Sequence, residues 1–354
     1  MNIPLDERLG RMRQWLGRAN DRPLVGCYLG SYYPFRRYPA GSARLPHGAI
    51  EAADLRVEDF LEDTERLFRE HEEAGGDMIW SAAPFFGIPW VEAALGCGVV
   101  ADHQQGCTRA VAPANPAVPE FREDNPWVAK ALEFAEPLAR QSAGRYPVGV
   151  TLMRGVSDVL SALYGGQEFI YRMCDAPEET EAFIAKLTDF WIAFGRSLLR
   201  RLPRYHGGTG SFFYGVWCPG EAIWLQEDAA ALLSPALYER FIYPADCRIA
   251  RAFEHTIIHL HPSRYIPSAR LAKSGLSAIE LHIDYGGPRA EKLYPHYRTI
   301  LEAKPLLVWG DITAADLEFL MTRLPHQGLA IQPVAQSAAE AREIWKRAKS
   351  YSKH

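Results

Sequence analysis

Residues 256–284 read TIIHLHPSRYIPSARLAKSGLSAIELHID. Two short runs within them, Thr256–His261 (TIIHLH) and Ala278–Asp284 (AIELHID), open on apolar, partly β-branched residues and close on ionisable ones. A brief apolar run of this kind is the pattern of a strand covered on both faces in a parallel sheet. Working outward, similar runs recur downstream at Leu306–Ile312 (LLVWGDI) and Leu329–Ala335 (LAIQPVA). Upstream they recur at Leu24–Gly30, Asp77–Pro84, Pro147–Met153 and Gly210–Val216. Helical patterns fill the intervals at 57–74, 167–201, 235–254, 288–302, 314–324 and 337–349, with Ser234-Pro235 as a helix start. Eight strands alternating with helices predict an α/β fold, a single (β/α)8 TIM barrel domain over residues 1–354.

Two stretches, 31–55 and 97–126, break the alternation with loop-like sequence rich in Pro, Gly and Ala. Both follow strands, so they are expected to lie over the catalytic face and shape the pocket. A hydrophobic share of 48% against 23% charged residues suits a large buried core. The net charge of -4 gives no footprint for nucleic acid, and no run approaches the ~18–20 apolar residues of a membrane span. The cysteines are scattered without a Cys-x-x-Cys pair and the start lacks an apolar leader, so a cytoplasmic protein with reduced thiols is expected.

Barrel enzymes carry their reactive groups at the C-terminal ends of strands. His259 and His261 lie two apart on a strand, so they share a face and could share a metal ion or a substrate anion. Glu280, His282 and Asp284 repeat that spacing on the next strand. Three such residues cannot all face an apolar layer without partners, so they line the mouth or pair with one another. Asp228 and Asp311 each stand shortly before a helix, as caps or as substrate contacts. His259, His261 and Glu280 offer the ligand chemistry of a zinc site with one open position. No His-Glu-x-x-His, phosphate-binding Gly-x-x-x-x-Gly-Lys or Gly-x-Ser-x-Gly motif is present, which argues against nucleotide and serine-based hydrolysis.

The stretches GVTLMRGVSDVLSALYGGQEF (149–169), QEDAAALLSPALYERFIYP (226–244), IHLHP (258–262), 276–284 and VWGDI (308–312) together resemble the uroporphyrinogen decarboxylase superfamily. The resemblance covers nearly the whole chain and implies a (β/α)8 barrel. The decarboxylases of that family carry an Arg-Gln-Ala-Gly-Arg segment after strand one and an aspartate after strand two. Here those places read Leu29–Arg37 (LGSYYPFRR) and Trp80–Pro84 (WSAAP), so porphyrinogen decarboxylation is not expected. The family's zinc-dependent methyltransferases use His-x-Cys after strand five and a cysteine near strand eight. His259-Leu260-His261 keeps the first ligand and changes the second, and strand eight offers Gln332; Glu280, His282 or Cys218 remain as third ligands.

The resemblance therefore implies a methyltransferase or demethylase working with zinc and with a corrinoid on a separate protein. In that reading His259, His261 and Glu280 bind metal, while Asp228, His282 and Asp311 act on the donor. Tyr32, Arg36, Arg37, Arg154 and Trp217 would contact a small methylated or carboxylated substrate. The alternatives are a lyase acting on another carboxylated substrate through Arg36, Arg37 or Arg154, and a non-catalytic barrel that binds a tetrapyrrole or corrinoid.

Overall fold

The computed structural model describes residues 3–211 and 213–351. A mainly parallel sheet forms its centre. In chain order its first pieces are β1 (Leu24–Val25) and β2 (Tyr28–Leu29). Three outer strands follow, β3 (Gly48–Ile50), β4 (Gly98–Asp102) and β5 (Cys107–Val111), then a hairpin of β6 (Gly208–Gly210) and β7 (Trp217–Pro219). The remaining strands are β8 (Ala222–Gln226), β9 (His255–Leu260), β10 (Ala278–Leu281), β11 (Leu306–Gly310) and β12 (Leu329–Ala335). Neighbours run β8-β9-β10-β11-β12-β1, all parallel, and β2 also pairs with β12. Ile257, Ile258, Ile279, Leu306, Leu307, Val308, Leu329, Ala330 and Ile331 are fully buried, because helices cover the outer face and packed side chains the inner one.

The segments 77–84 and 147–154 join this sheet through single contacts rather than ladders. The Asp77 N–H donates to the Val25 carbonyl at 2.8 Å, Ala82 bridges Val148, and Arg154 bridges Gln226, the last two in parallel. Pro84 and Pro147 have no N–H to give a ladder, and Ile79 spends its own on the Gly215 carbonyl at 2.7 Å. The sheet is therefore barrel-like.

One expected strand is corrected. Gly210–Val216 is not the fourth barrel strand; Ala222–Gln226 takes that place beside β9. Residues 213–216 instead lead into β7 of the β6–β7 hairpin, where Tyr214 is buried against Trp224 and Phe213 reaches Tyr28 and Trp309; residue 212 lies outside the described residues. Apolar aromatic sequence marks burial in either arrangement, so composition alone does not separate the two.

The two insertions are more ordered than loops. β3 from the first pairs antiparallel with β4 from the second, and β4 with β5. The Phe35 N–H donates to the Gly106 carbonyl at 3.0 Å, tying the first insertion to the second. The helix expected over 167–201 is broken into Glu168–Asp175 and Pro177–Arg201, since Pro177 can begin a helix but not continue one. The Ser234 hydroxyl accepts from the Leu237 N–H as a cap should. Among the described residues no helix is long and apolar enough to cross a membrane.

Candidate active site

In-register pairing across three parallel strands assembles the centre of the site. Gln226 on β8 is level with His259 on β9, which is level with Glu280 on β10. Level residues on neighbouring strands point the same way, and here that is toward Tyr214 and the interior. His261, His282 and Asp284 follow just beyond the strand ends, while Asp228 follows β8.

Each histidine is held by a carboxylate. His259 Nδ1 pairs with Glu280 Oε2, and His261 Nδ1 lies 2.7 Å from Asp284 Oδ1. Their other ring nitrogens turn toward one atom, Asp228 Oδ1, at 3.5 Å from His259 Nε2 and 3.7 Å from His261 Nε2. That oxygen is buried and makes no hydrogen bond, while Gln226 donates to the other oxygen of the same carboxylate. Asp228 precedes a 3-10 turn without capping it, so its side chain is spent on the site. His282 stands between, 3.6 Å from Glu280 and 3.6 Å from Asp284.

Burial and charge set the protonation pattern. Burial lowers the His259 imidazole to about 4 and also lowers His282, keeping both neutral. Burial likewise pushes Glu280 up to about 7. For His261 burial acts in the same downward direction, but the Asp284 hydrogen bond and the charges of Asp228 and Asp284 overcome it and raise the ring to about 9. Burial would raise Asp284, yet its bond to His261 brings it below the usual carboxylate range. The pocket thus attracts positive charge.

These groups open into a cavity of about 510 Å³ lined by Tyr32, Tyr33, Phe213, Gln226, His259, His261, His282, Asp284, Tyr285 and Trp309. Tyr32 and Tyr33 come from the first insertion, so that stretch does help form the pocket; no residue of 97–126 lines it. Three overlapping sets could hold a cation: Asp228, His259 and His261; His259, Glu280 and His282; and His261, His282 and Asp284.

Several expected site residues are placed elsewhere. Asp311 pairs with Arg289 at 3.1 Å, which also binds Asp316 of the Thr313 capping box. Arg37 is buried, donates to the Leu29 carbonyl and lies over the Tyr28 ring at 4.0 Å. Arg154 pairs with Glu92 at 3.2 Å, and Arg36 lies over Tyr33 at 5.1 Å; neither lines the cavity. Trp217 is buried in β7, donates to the Tyr205 carbonyl at 2.8 Å and carries Arg13 on its ring, also outside the cavity. Cys218 sits beside it, its thiol pushed up to about 12 by burial. Sequence reasoning missed Phe213 and Tyr285 and gave no role to Gln226. For Gln226 a signal was present: it lies two residues before Asp228, at the end of an apolar run.

The chain matches no protein-family model and no curated protein. Its structure is similar to that of a methyltransferase from Methanosarcina mazei, with a TM-score of 0.65 and 13% sequence identity over 98% of this chain and 97% of that one. At that identity the likeness speaks for the fold alone.

Proposed function

We propose that the chain is a single-domain (β/α)8 barrel enzyme that moves a methyl group between a small methylated substrate and a corrinoid on a separate protein, with zinc held by His259, His261 and Asp228. The observation that carries this reading is the buried, unpartnered Asp228 Oδ1 facing two histidine Nε2 atoms. A tetrahedral ion with bonds of ~2.0–2.2 Å needs ligand atoms ~3.4 Å apart. The observed 3.5 Å and 3.7 Å fit that requirement. Glu280, first considered as a ligand, is better suited to act from behind. Its carboxylate fixes the His259 tautomer with Nε2 free, as Asp284 does for His261.

Zinc so held would polarise the donor's heteroatom or stabilise the group left behind. His282, 3.6 Å from each of the two carboxylates, faces the substrate space. Trp309, Tyr32 and Phe213 wall that space. A methyltransferase is built on a similar fold, so the proposed reaction is compatible with this architecture. The lyase alternative needs a cationic grip on a carboxylate, and among the described residues no lysine or arginine lines the cavity.

The test has two readouts. Protein produced with zinc supplied should hold close to one equivalent, and a value below about 0.2 would remove the zinc site. Separately, reduced free cobalamin incubated with the protein and a panel of methyl donors should acquire a methyl group, read from the cobalt absorbance. No methylation with any donor would remove the reaction.

A further inference from the structure

The inner half of the cavity is the histidine and carboxylate cluster; the outer half is a continuous aromatic wall. Tyr32 lies 6.0 Å from Tyr33 and 6.1 Å from Trp309, centroid to centroid, and Trp309 lies 4.6 Å from Phe213. Trp309 also meets His282 at 4.5 Å, so the wall adjoins the cluster directly. We infer that this wall is a subsite for a methylated ammonium ion, which would be the methyl donor. The donor role rests on the methyl-transfer reading above; the subsite does not.

Three observations favour a cation over a neutral or anionic ligand. First, aromatic faces attract positive charge, most strongly when water is excluded. Trp309 is only 3% exposed, while Tyr32 and Tyr33 stand at the rim at 40% and 45%. Second, the charge beneath the wall is negative. Three carboxylates, Asp228, Glu280 and Asp284, gather there, and among the described residues no lysine or arginine lines the cavity to balance them. Third, two of the three arginines that could balance a carboxylate ligand are engaged elsewhere, Arg37 on the Leu29 carbonyl and Arg154 on Glu92, and the third, Arg36, lies against the rim ring of Tyr33 without lining the cavity. Rings of this segment already accept cations, since Arg36 lies over Tyr33 at 5.1 Å and Arg37 over Tyr28 at 4.0 Å.

The chemistry closes without a further reactant. The carbon–nitrogen bond breaks, its electron pair stays on nitrogen, and the donor departs as a neutral amine. The methyl carbon forms its new bond with the lone pair of the reduced corrinoid cobalt of the proposed partner. No proton is needed at the leaving atom, whereas a methyl ether would require one.

The test compares choline with its uncharged carbon isostere, in which a tert-butyl group replaces trimethylammonium, by calorimetric titration of the zinc-loaded protein. Choline should bind at least about ten-fold more tightly. The rim substitutions Tyr32→Leu and Tyr33→Leu should erode that preference several-fold while leaving isostere affinity within about two-fold. Trp309→Phe, which retains a ring, should preserve most of the preference. Equal affinities, no choline binding at millimolar concentration, or rim variants that weaken both ligands alike would overturn the inference. Choline preference without methyl transfer to reduced cobalamin supports the subsite and removes the methyl-transfer reading. Turnover of neutral methyl ethers with no preference for the cation does the reverse.

Discussion

Asp77 and Glu280 are both 0% exposed, and the protein treats them in opposite ways. At the start of its sheet segment Asp77 meets Arg22 through two contacts of 2.7 Å and 2.8 Å, Arg11 at 3.0 Å and the Val25 N–H at 2.9 Å. Its lone pairs are filled by permanent cations and backbone. Near the end of β10 Glu280 meets only histidines, and its Oε1 has no hydrogen-bond partner. Burying a carboxylate is costly in either place unless something answers its charge. For Asp77 the answer is built in. For Glu280 and Asp228 no lysine or arginine answers it, and on the proposed function a bound cation would.

The difference can be broken most sharply from the functional side. His259→Ala removes the ring that joins Asp228 to Glu280, so zinc content should fall below about 0.2 equivalents while the protein stays folded. Full zinc retention would show that the ligands lie elsewhere. The next largest effect belongs to the structural side. Asp77→Ala strands two arginines and a backbone N–H and should cost about 3 kcal/mol in urea unfolding, the lower end for a broken buried pair because both arginines keep some solvent contact. Zinc content per folded molecule should not change. A loss of zinc without a loss of stability would invert the proposed division.

Glu280→Gln sharpens the contrast with a smaller change. Losing a carboxylate behind a ligating histidine typically costs ~10–100-fold in metal affinity, and competition with a chelator would measure it. Removing a buried charge costs little stability, so unfolding should be nearly unaffected. The pH dependence has a definite sign. Opposed by burial but raised by Asp284 and Asp228, His261 holds a proton below about 9, and that proton must leave before Nε2 can bind a metal. Zinc affinity should therefore fall by about ten-fold per unit as pH drops from 9. The slope should steepen below about 7, where Glu280 also takes up a proton. A flat profile over that range would exclude His261 as a ligand.

Four of the sheet's strands were legible because β9 to β12 are buried on both faces and read as short, mainly apolar runs. The upstream half was harder for a physical reason. Residues 77–84 and 147–154 make isolated contacts, and the FFY run at 212–214 satisfies the same apolar pattern as the true strand Ala222–Gln226. In the site, the two-residue spacings put His259 on one face with His261, and Glu280 on one face with His282 and Asp284, and the five lie in overlapping groups. Spacing along one strand could not show which ring nitrogen faces which acid. Asp228 therefore emerged as the shared partner only when β8 and β9 were seen in register. Trp217 was misjudged because it follows the segment mistaken for a strand.

Asp311 marks the boundary between the two kinds of acid and should give the smallest effect. It ends a strand beside His282 in space, as a functional residue would, since Gly310 approaches the His282 ring. Its side chain nonetheless turns to Arg289, which answers its charge as Arg22 answers that of Asp77. Both partners are partly exposed, with side chains at 36% and 40%, so water screens the pair. Asp311→Asn should then change stability by only about 0–1 kcal/mol. If satisfied charge is what distinguishes structure from function, zinc content and choline affinity should also stay within about two-fold. A ten-fold fall in either would place Asp311 in the site, because no loss of a screened ion pair could account for it.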